Sequence, residues 1–323
     1  MDTRGESSIE GHTAIQHGLP RALADGLTAR PLTPDDLQAA FAVYSAAELA
    51  DVGIVMLEPE DIESDWNRAS FDLATQSVGV FDGDTLIGGA EVFKTRRAEA
   101  AVHPDHRGRG VGTWLADWTE DLARREGGSK VGQTCYQGSA GERLLRDRGY
   151  DDAWTSWVLE LPADRPIVPQ PLPAGYAIRE AVTGAEDRDV YQVIEDAFNE
   201  WPDRTPSSFE DWYPRLLGRR GFEPWQIRVA VDGDDRIVGA ACTILDSAGE
   251  AYIDQLAVRG DQRGKGLARA LMADAFAHGR ERGAARFGLS TDSRTGALGL
   301  YEKVGMQVTQ TWVALAIDVA PDS

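Results

Sequence analysis

The stretch that decides the fold runs Ile253-Asp254-Gln255-Leu256-Ala257-Val258, then Arg259-Gly260-Asp261-Gln262, then Arg263-Gly264-Lys265-Gly266-Leu267-Ala268, and on past Leu271 and Met272. Its first part is apolar and strand-like, its middle is rich in glycine, and its end opens a helix. In that order, strand, turn and helix present consecutive backbone N–H groups at the positive end of a helix, where a pyrophosphate binds with few side-chain cations. Gly264 and Gly266 permit the close approach of backbone to phosphate. Other nucleotide folds also use glycine turns, and spacing separates them. No G-x-x-x-x-G-K-[ST] run is present, and this G-x-G follows an arginine late in its half of the chain instead of closing a first strand.

Outward from this point the pattern repeats. Arg107-Gly108-Arg109-Gly110-Val111-Gly112 precedes Arg263-Gly264-Lys265-Gly266-Leu267-Ala268 by 156 residues, and Gly149 precedes Gly305 by the same 156. One offset shared by two separate motifs implies an internal duplication. Between the copies, Pro162, Pro166, Pro169, Pro171 and Pro173 remove backbone donors and favour an extended connection. The expected organisation is a flexible extension over residues 1–25, an N-terminal domain over 26–161, a linker over 162–175, a C-terminal domain over 176–318 and a tail over 319–323.

Within each half, strands alternate with helices. The second half predicts strands at Tyr176 to Arg179, Ile227 to Val231, Ile237 to Leu245, Ala251 to Val258, Arg286 to Ser290 and Gln307 to Ile317. It predicts helices at Asp187 to Ala197, Phe209 to Leu216, Gly266 to Arg282 and Ala297 to Val304. Asp82-Gly83 and Asp232-Gly233 supply hairpin chemistry. The fold class is therefore α/β with a mixed, mostly antiparallel sheet flanked by helices in each copy.

Composition narrows the function. The 323 residues are 42% hydrophobic and 27% charged, as in a globular protein of two domains, and no run approaches the roughly 18 apolar residues of a membrane helix. A formal net charge of -20 argues against nucleic-acid binding, which depends on attraction to phosphate. Acidity either favours cationic acceptors such as amines or serves solubility. Cys135 and Cys242 are too few for a disulfide framework or a zinc site, so a reduced cytoplasm and no metal are expected.

Both turns resemble the [Q/R]-x-x-G-x-[G/A] signature of the GNAT superfamily of N-acetyltransferases, and Gly296-Ala297-Leu298-Gly299-Leu300-Tyr301-Glu302-Lys303-Val304-Gly305-Met306 resembles its later A-x-x-L-Y-E-K-x-G-F segment. The tandem layout looks most like the double-GNAT proteins of the mycothiol synthase type. The resemblance implies acetyl-coenzyme A as co-substrate. Its pantetheine arm would pair with the strand at Leu256, Ala257 and Val258, and its pyrophosphate would meet the amides of Arg263, Gly264, Lys265, Gly266, Leu267 and Ala268. The first copy keeps Val102 and Arg107, Gly108, Arg109, Gly110, Val111 and Gly112; either it binds coenzyme A too or its turn is kept for folding.

Amine acetylation needs a neutral amine, support for an oxyanion and a proton for the departing thiolate. Tyr301 stands where the resemblance implies that proton donor, and Leu145 stands at the matching place in the first copy. A leucine has no proton to give, which points to chemistry in the second copy. The base is harder to read, because the glutamate of many relatives corresponds to Tyr252. Strand alternation places Glu250, Tyr252 and Asp254 on one face if no bulge intervenes, making Asp254, then Glu250, the candidates. The expected activity is N-acetylation of a small, cationic amine; the alternatives are a protein or peptide acetyltransferase and a non-catalytic regulator that binds coenzyme A. The oligomeric state is left open.

Overall fold

Buried faces set by side-chain periodicity account for the long elements. In a computed structural model, which describes residues 22–162, 164–201 and 204–319, strands β1 (Leu27–Arg30), β2 (Ser77–Asp82), β3 (Thr85–Phe93), β4 (Arg97–Val102), β5 (Lys130–Tyr136) and β6 (Asp151–Leu161) arise in the first half. They alternate with helices α1 (Leu37–Val52), α2 (Pro59–Trp66), α3 (Val111–Arg125) and α4 (Ala140–Asp147). The second half gives β7 (Ala177–Glu180), α5 (Asp187–Phe198), β8 (Ile227–Val231), β9 (Ile237–Leu245), β10 (Glu250–Val258), α6 (Leu267–Glu281), β11 (Arg286–Asp292), α7 (Leu298–Lys303) and β12 (Gln307–Asp318). No described helix is long and apolar enough to cross a membrane.

The chain forms two compact units, but the cuts fall at Thr155/Ser156 and Thr311/Trp312, not at the proline-rich segment. Unit 1 holds residues up to 155 together with 312–323, and unit 2 holds 156–311. The reason is strand pairing. In unit 1, Trp312 to Asp318 of β12 pair antiparallel with Lys130 to Tyr136 of β5. In unit 2, Ser156 to Leu161 of β6 pair antiparallel with Phe287 to Asp292 of β11. Each half of the sequence thus gives most of its last strand to the other unit, so the compact units divide at other places than the boundaries expected at 161 and 318. Residues 1–21, most of the expected extension, lie outside the described residues, as do 320–323.

Apart from this exchange the units share a topology. In each, three antiparallel hairpin-like pairs lead to a single parallel pair, β4 with β5 or β10 with β11, and an antiparallel strand follows. The fold class expected from the sequence is the one observed. Alternation aims Ala251 and Ile253 into an apolar cluster with Leu267, Leu271, Ala275 and Phe276 of α6 and with Leu159, Leu161, Phe287 and Leu289. A second cluster in unit 2 seals the other face with Val190, Ile194, Trp212, Val229, Ala240 and Cys242. In unit 1, Val111, Trp114, Leu115, Trp118 and Leu122 of α3 pack against Val78, Val80, Ile87 and Val92. The helix expected over Phe209 to Leu216 is cut short: one α turn at Phe209–Trp212 gives way to a 3₁₀ turn at Tyr213–Arg215. Pro214 has no N–H to continue the α-helical ladder.

Candidate active site

The glycine turn of unit 2 takes the form its sequence demands. After β10 a 3₁₀ turn at Gly260–Gln262 leads to Arg263 in extended backbone, and Gly264 (φ +77°) and Gly266 (φ +85°) adopt left-handed conformations ahead of α6. A Cβ built on Gly264 would meet no atom within 4 Å. The glycines are therefore needed for backbone conformation, and the space outside the turn is open for a ligand. The first N–H groups of the 15-residue helix α6 have no intrahelical acceptor and stand beside that space.

The basic side chains of the turn have other work. Arg263 donates through Nε to the Val258 carbonyl at 3.2 Å and through Nη1 to Glu200 at 2.5 Å, tying the turn to the strand end. Lys265 Nζ donates to Tyr176 OH and to Gln262 Oε1, each at 2.7 Å. Leu267 is buried in the core, as is Val258, so these residues, like Ala257 and Ala268, offer backbone alone to an anion or an extended chain. Unit 1 repeats the arrangement. Gly108 and Gly110 are left-handed, Arg107 reaches the Val102 carbonyl at 3.4 Å and grips Asp51 at 2.9 and 2.8 Å, and Arg109 pairs with Asp82 at 2.8 Å. Val111 and Gly112 open α3.

The strands beside the two turns differ. In unit 2 the β10–β11 ladder runs from Glu250 with Arg286 to Ile253 with Leu289 and ends there, while Gln255 to Val258 stay paired with β9. A β-bulge at Asp254 marks the parting. The edge of β10 released in this way can take an extended ligand as an extra strand. In unit 1 the β4–β5 ladder is reduced to Arg97 with Gly132, and the Gln133 side chain crosses the gap, Nε2 donating to the Ala100 carbonyl at 2.9 Å. That carbonyl is on the edge a ligand would use. Nothing in the motif reading singled out Gln133; its polar side chain beside the splayed strand is the signal that was there.

The bulge also settles the condition attached to Asp254. Regular alternation fails at that residue, yet Asp254 accepts from Arg215 at 3.0 Å while its neighbour Gln255 accepts from Trp212 at 2.8 Å. Two consecutive residues meet partners from the same short segment, as a bulge allows. Asp254 thus stays on the side it was expected to occupy, but one carboxylate oxygen is held by Arg215 and the other, Oδ2, is buried without a hydrogen bond. Arg215, 39 residues away in sequence, was not foreseen.

Glu250 has a different setting. Its side chain is 7% exposed and lies 3.4 Å from Arg286. Burial first, opposed by Arg286 and reinforced by Glu160 and Asp246, pushes its proton affinity up to about 7. Tyr252 stands half-buried beside it, hydrogen-bonded to Ser290, and the loss of solvent around its hydroxyl drives its phenol above the ordinary range. Tyr301 on α7 is 8% exposed within the unit 2 core, and burial alone pushes its phenol up to about 12, so it stays protonated at neutral pH. Leu145 of unit 1 is instead packed among Cys135, Tyr150, Val313 and Leu315.

Comparison with known proteins adds to this geometry. The profile of the acetyltransferase (GNAT) family matches residues 41–150 and 188–306. The chain is 29% identical over 289 residues to a mycothiol acetyltransferase of Thermobispora bispora, covering 84% of this chain and 93% of that protein. To the mycothiol acetyltransferase of Salinispora arenicola it is 32% identical, covering 70% and 75% respectively. Among solved structures, a GCN5-related N-acetyltransferase from Sphaerobacter thermophilus superposes with a TM-score of 0.73 at 30% identity, covering 94% of this chain and 98% of that one. A tandem GNAT protein from the clavulanic acid biosynthesis pathway shares the fold, with a TM-score of 0.69 at 16% identity, covering 92% of this chain and all of that one.

Proposed function

This chain belongs to the GNAT family of acetyltransferases and is an acyltransferase, and on that premise we propose that it moves an acetyl group from acetyl-coenzyme A to the primary amine of a small molecule, with the chemistry in unit 2. The observation that carries the reading is that an opened strand edge, a glycine turn with outward amides and a buried, protonated tyrosine lie in one unit. Unit 1 has the turn, but Leu145 where the tyrosine would be and Gln133 across its gap. Similarity to proteins named mycothiol acetyltransferases supports a small acceptor over a protein one.

The residues fit the co-substrate. Amides of Arg263 to Ala268 would hold its pyrophosphate, and the backbone of Leu256 to Val258 would pair with its pantetheine amides. The acceptor amine attacks the thioester carbonyl carbon, an N–C bond forms, and the C–S bond breaks. Tyr301 gives its hydroxyl proton to the departing thiolate, which is desolvated along with it and so more basic than in water. The amine proton passes to Glu250, directly or through water, since a carboxylate that titrates near neutrality is suited to that exchange. Asp254, held by Arg215, lies on the same strand and orients the acceptor by charge. Acidity of the chain as a whole favours a cationic amine.

The test is thiol release from acetyl-coenzyme A against a panel that includes glucosamine, cysteine and short peptides. Faster release with a small amine supports the reading. Release with peptides alone would move the acceptor class, and no release above hydrolysis, in protein that still binds acetyl-coenzyme A, would make this a non-catalytic binder.

A further inference from the structure

We propose that Glu160, on β6, is a positioning residue of the acyl-transfer site in unit 2 and acts on the acceptor amine through Glu250. This rests on the reading of Glu250 as the base. Glu160 precedes the proline-rich linker in sequence, in the half that carries the other glycine turn, and it reaches unit 2 only because β6 is exchanged.

Register places it. Tyr252 pairs with Gly288, and Gly288 pairs with Glu160, so the three stand in one row across β10, β11 and β6. Phe287, Leu289, Leu159 and Leu161 point into the core with α6. By alternation, Gly288 and Glu160 face the opposite side. Gly288 is the opening in that row: a Cβ built there would run into Oε1 of Glu250 and stand 3.3 Å from the Tyr252 ring. The Glu250 carboxyl therefore lies over the middle strand, toward β6, where Glu160 stands. Thr309 Oγ1 backs Glu160, 3.5 Å from its Oε1.

The charges that face Glu250 are unequal in number. Arg286 lies 3.4 Å from it and shares itself with Asp246 at 3.8 Å; Glu160 and Asp246 supply two carboxylates, and Tyr252 is neutral. With one cation against three carboxyl groups, Glu160 makes Glu250 hold its proton to higher pH than Arg286 alone would allow. Glu160 does so by like charge, with no need to touch the substrate.

The test needs no identified acceptor at its first step. In the full chain, the Glu250 carboxyl carbon is followed by ¹³C NMR titration and assigned by its loss in Glu250→Gln. Glu160→Gln should lower the Glu250 midpoint by about half to one pH unit, and Glu160→Asp should restore most of it. With the best amine of the panel, the acidic limb of kcat/KM should move down by the same amount, so that Glu160→Gln is faster than the parent by roughly two- to threefold at pH 6.5 and by roughly three- to eightfold at pH 5.5. A role limited to folding would not quicken the enzyme. An unmoved Glu250 midpoint in Glu160→Gln overturns the proposal and leaves the base reading intact. An acidic limb that survives in Glu250→Gln overturns the base reading, and with it any action of Glu160 on the reaction.

Discussion

Units 1 and 2 start from the same topology and the same glycine turn and differ in what surrounds the sheet edge. In unit 2 the parallel pair opens at Ile253 and a buried tyrosine follows on α7. In unit 1 Gln133 ties the two strands, and Leu145 is part of the core. The contrast extends to the opposite face. Trp66 donates its indole N–H to Glu91 at 2.7 Å, and Trp212 donates to Gln255 at 2.8 Å. Along the strands, Glu91 faces Glu99, whereas Cys242 faces Gln255. The two copies therefore share a backbone device and differ in side chains, because the turn depends on two glycines while its surroundings depend on single side chains from several elements.

The largest expected effect tests which turn matters. Gly266→Asp puts a residue into a left-handed conformation, at a cost of about 1–2 kcal/mol, and sets a carboxylate against the anion-binding amides. It should abolish the thermal stabilisation by acetyl-coenzyme A, which is about 2.7 kcal/mol at a hundredfold excess over Kd, and turnover with it. Gly110→Asp in unit 1 should leave turnover standing. The reverse result would exchange the roles of the units.

Next in size is the proton donor. Tyr301→Phe keeps the packed ring and removes the hydroxyl, so kcat should fall on the order of 100- to 10,000-fold with little change in Tm. Undiminished single-turnover thiol release would remove Tyr301 from the mechanism.

Asp254→Asn sharpens the comparison further, since the bulge that carries Asp254 accompanies the opened edge of unit 2. As an orienting charge, Asp254 should affect the acceptor KM, with a rise of about tenfold and kcat within a few-fold. A kcat loss with the acidic limb gone would transfer the base role from Glu250 to Asp254.

The last comparison concerns the stability of unit 1 and leaves turnover aside. Burial first, and Glu99 next, hold the Glu91 carboxyl protonated, with its affinity pushed up to about 8 from an ordinary 4.5. The stability this gives is full below the unfolded value and is lost as pH rises through about 8, on the order of 3 to 5 kcal/mol across the window. Glu91→Gln cannot ionise, so its unfolding should depend less on pH between 5 and 9. Parallel pH profiles for the two proteins would show that Glu91 is not held neutral.

Much of this was legible in the sequence because it is local. The glycine turns, the Tyr301 and Leu145 contrast, and most strand limits in the second half are contiguous patterns, and side-chain period or backbone conformation is enough to read them. The 3₁₀ turn after Trp212 was also visible in Pro214, although the helix was extended past it. What escaped depends on partners far apart. Arg215 meets Asp254 across 39 residues and Gln133 meets Ala100 across 33. The bulge shows itself only once β10 is laid against β9. Gly288 reads as an ordinary strand glycine until Glu250 is seen to need its space. The exchange of β6 and β12 was least legible of all, because the hydrophobic alternation of a strand says which face is buried and nothing about which sheet receives it.

That exchange also sets a timetable for synthesis. A ribosome completes every other strand of unit 1 before it begins unit 2, yet Trp312 to Asp318, which pair with β5, emerge after the whole of unit 2. Until then one edge of β5 presents unpaired N–H and C=O groups to the cell. The nascent chain must carry that open edge through the translation of 156 residues, Ser156 to Thr311. A stop codon just before Trp312 would therefore spare unit 2 and expose the unit made first to aggregation and proteolysis.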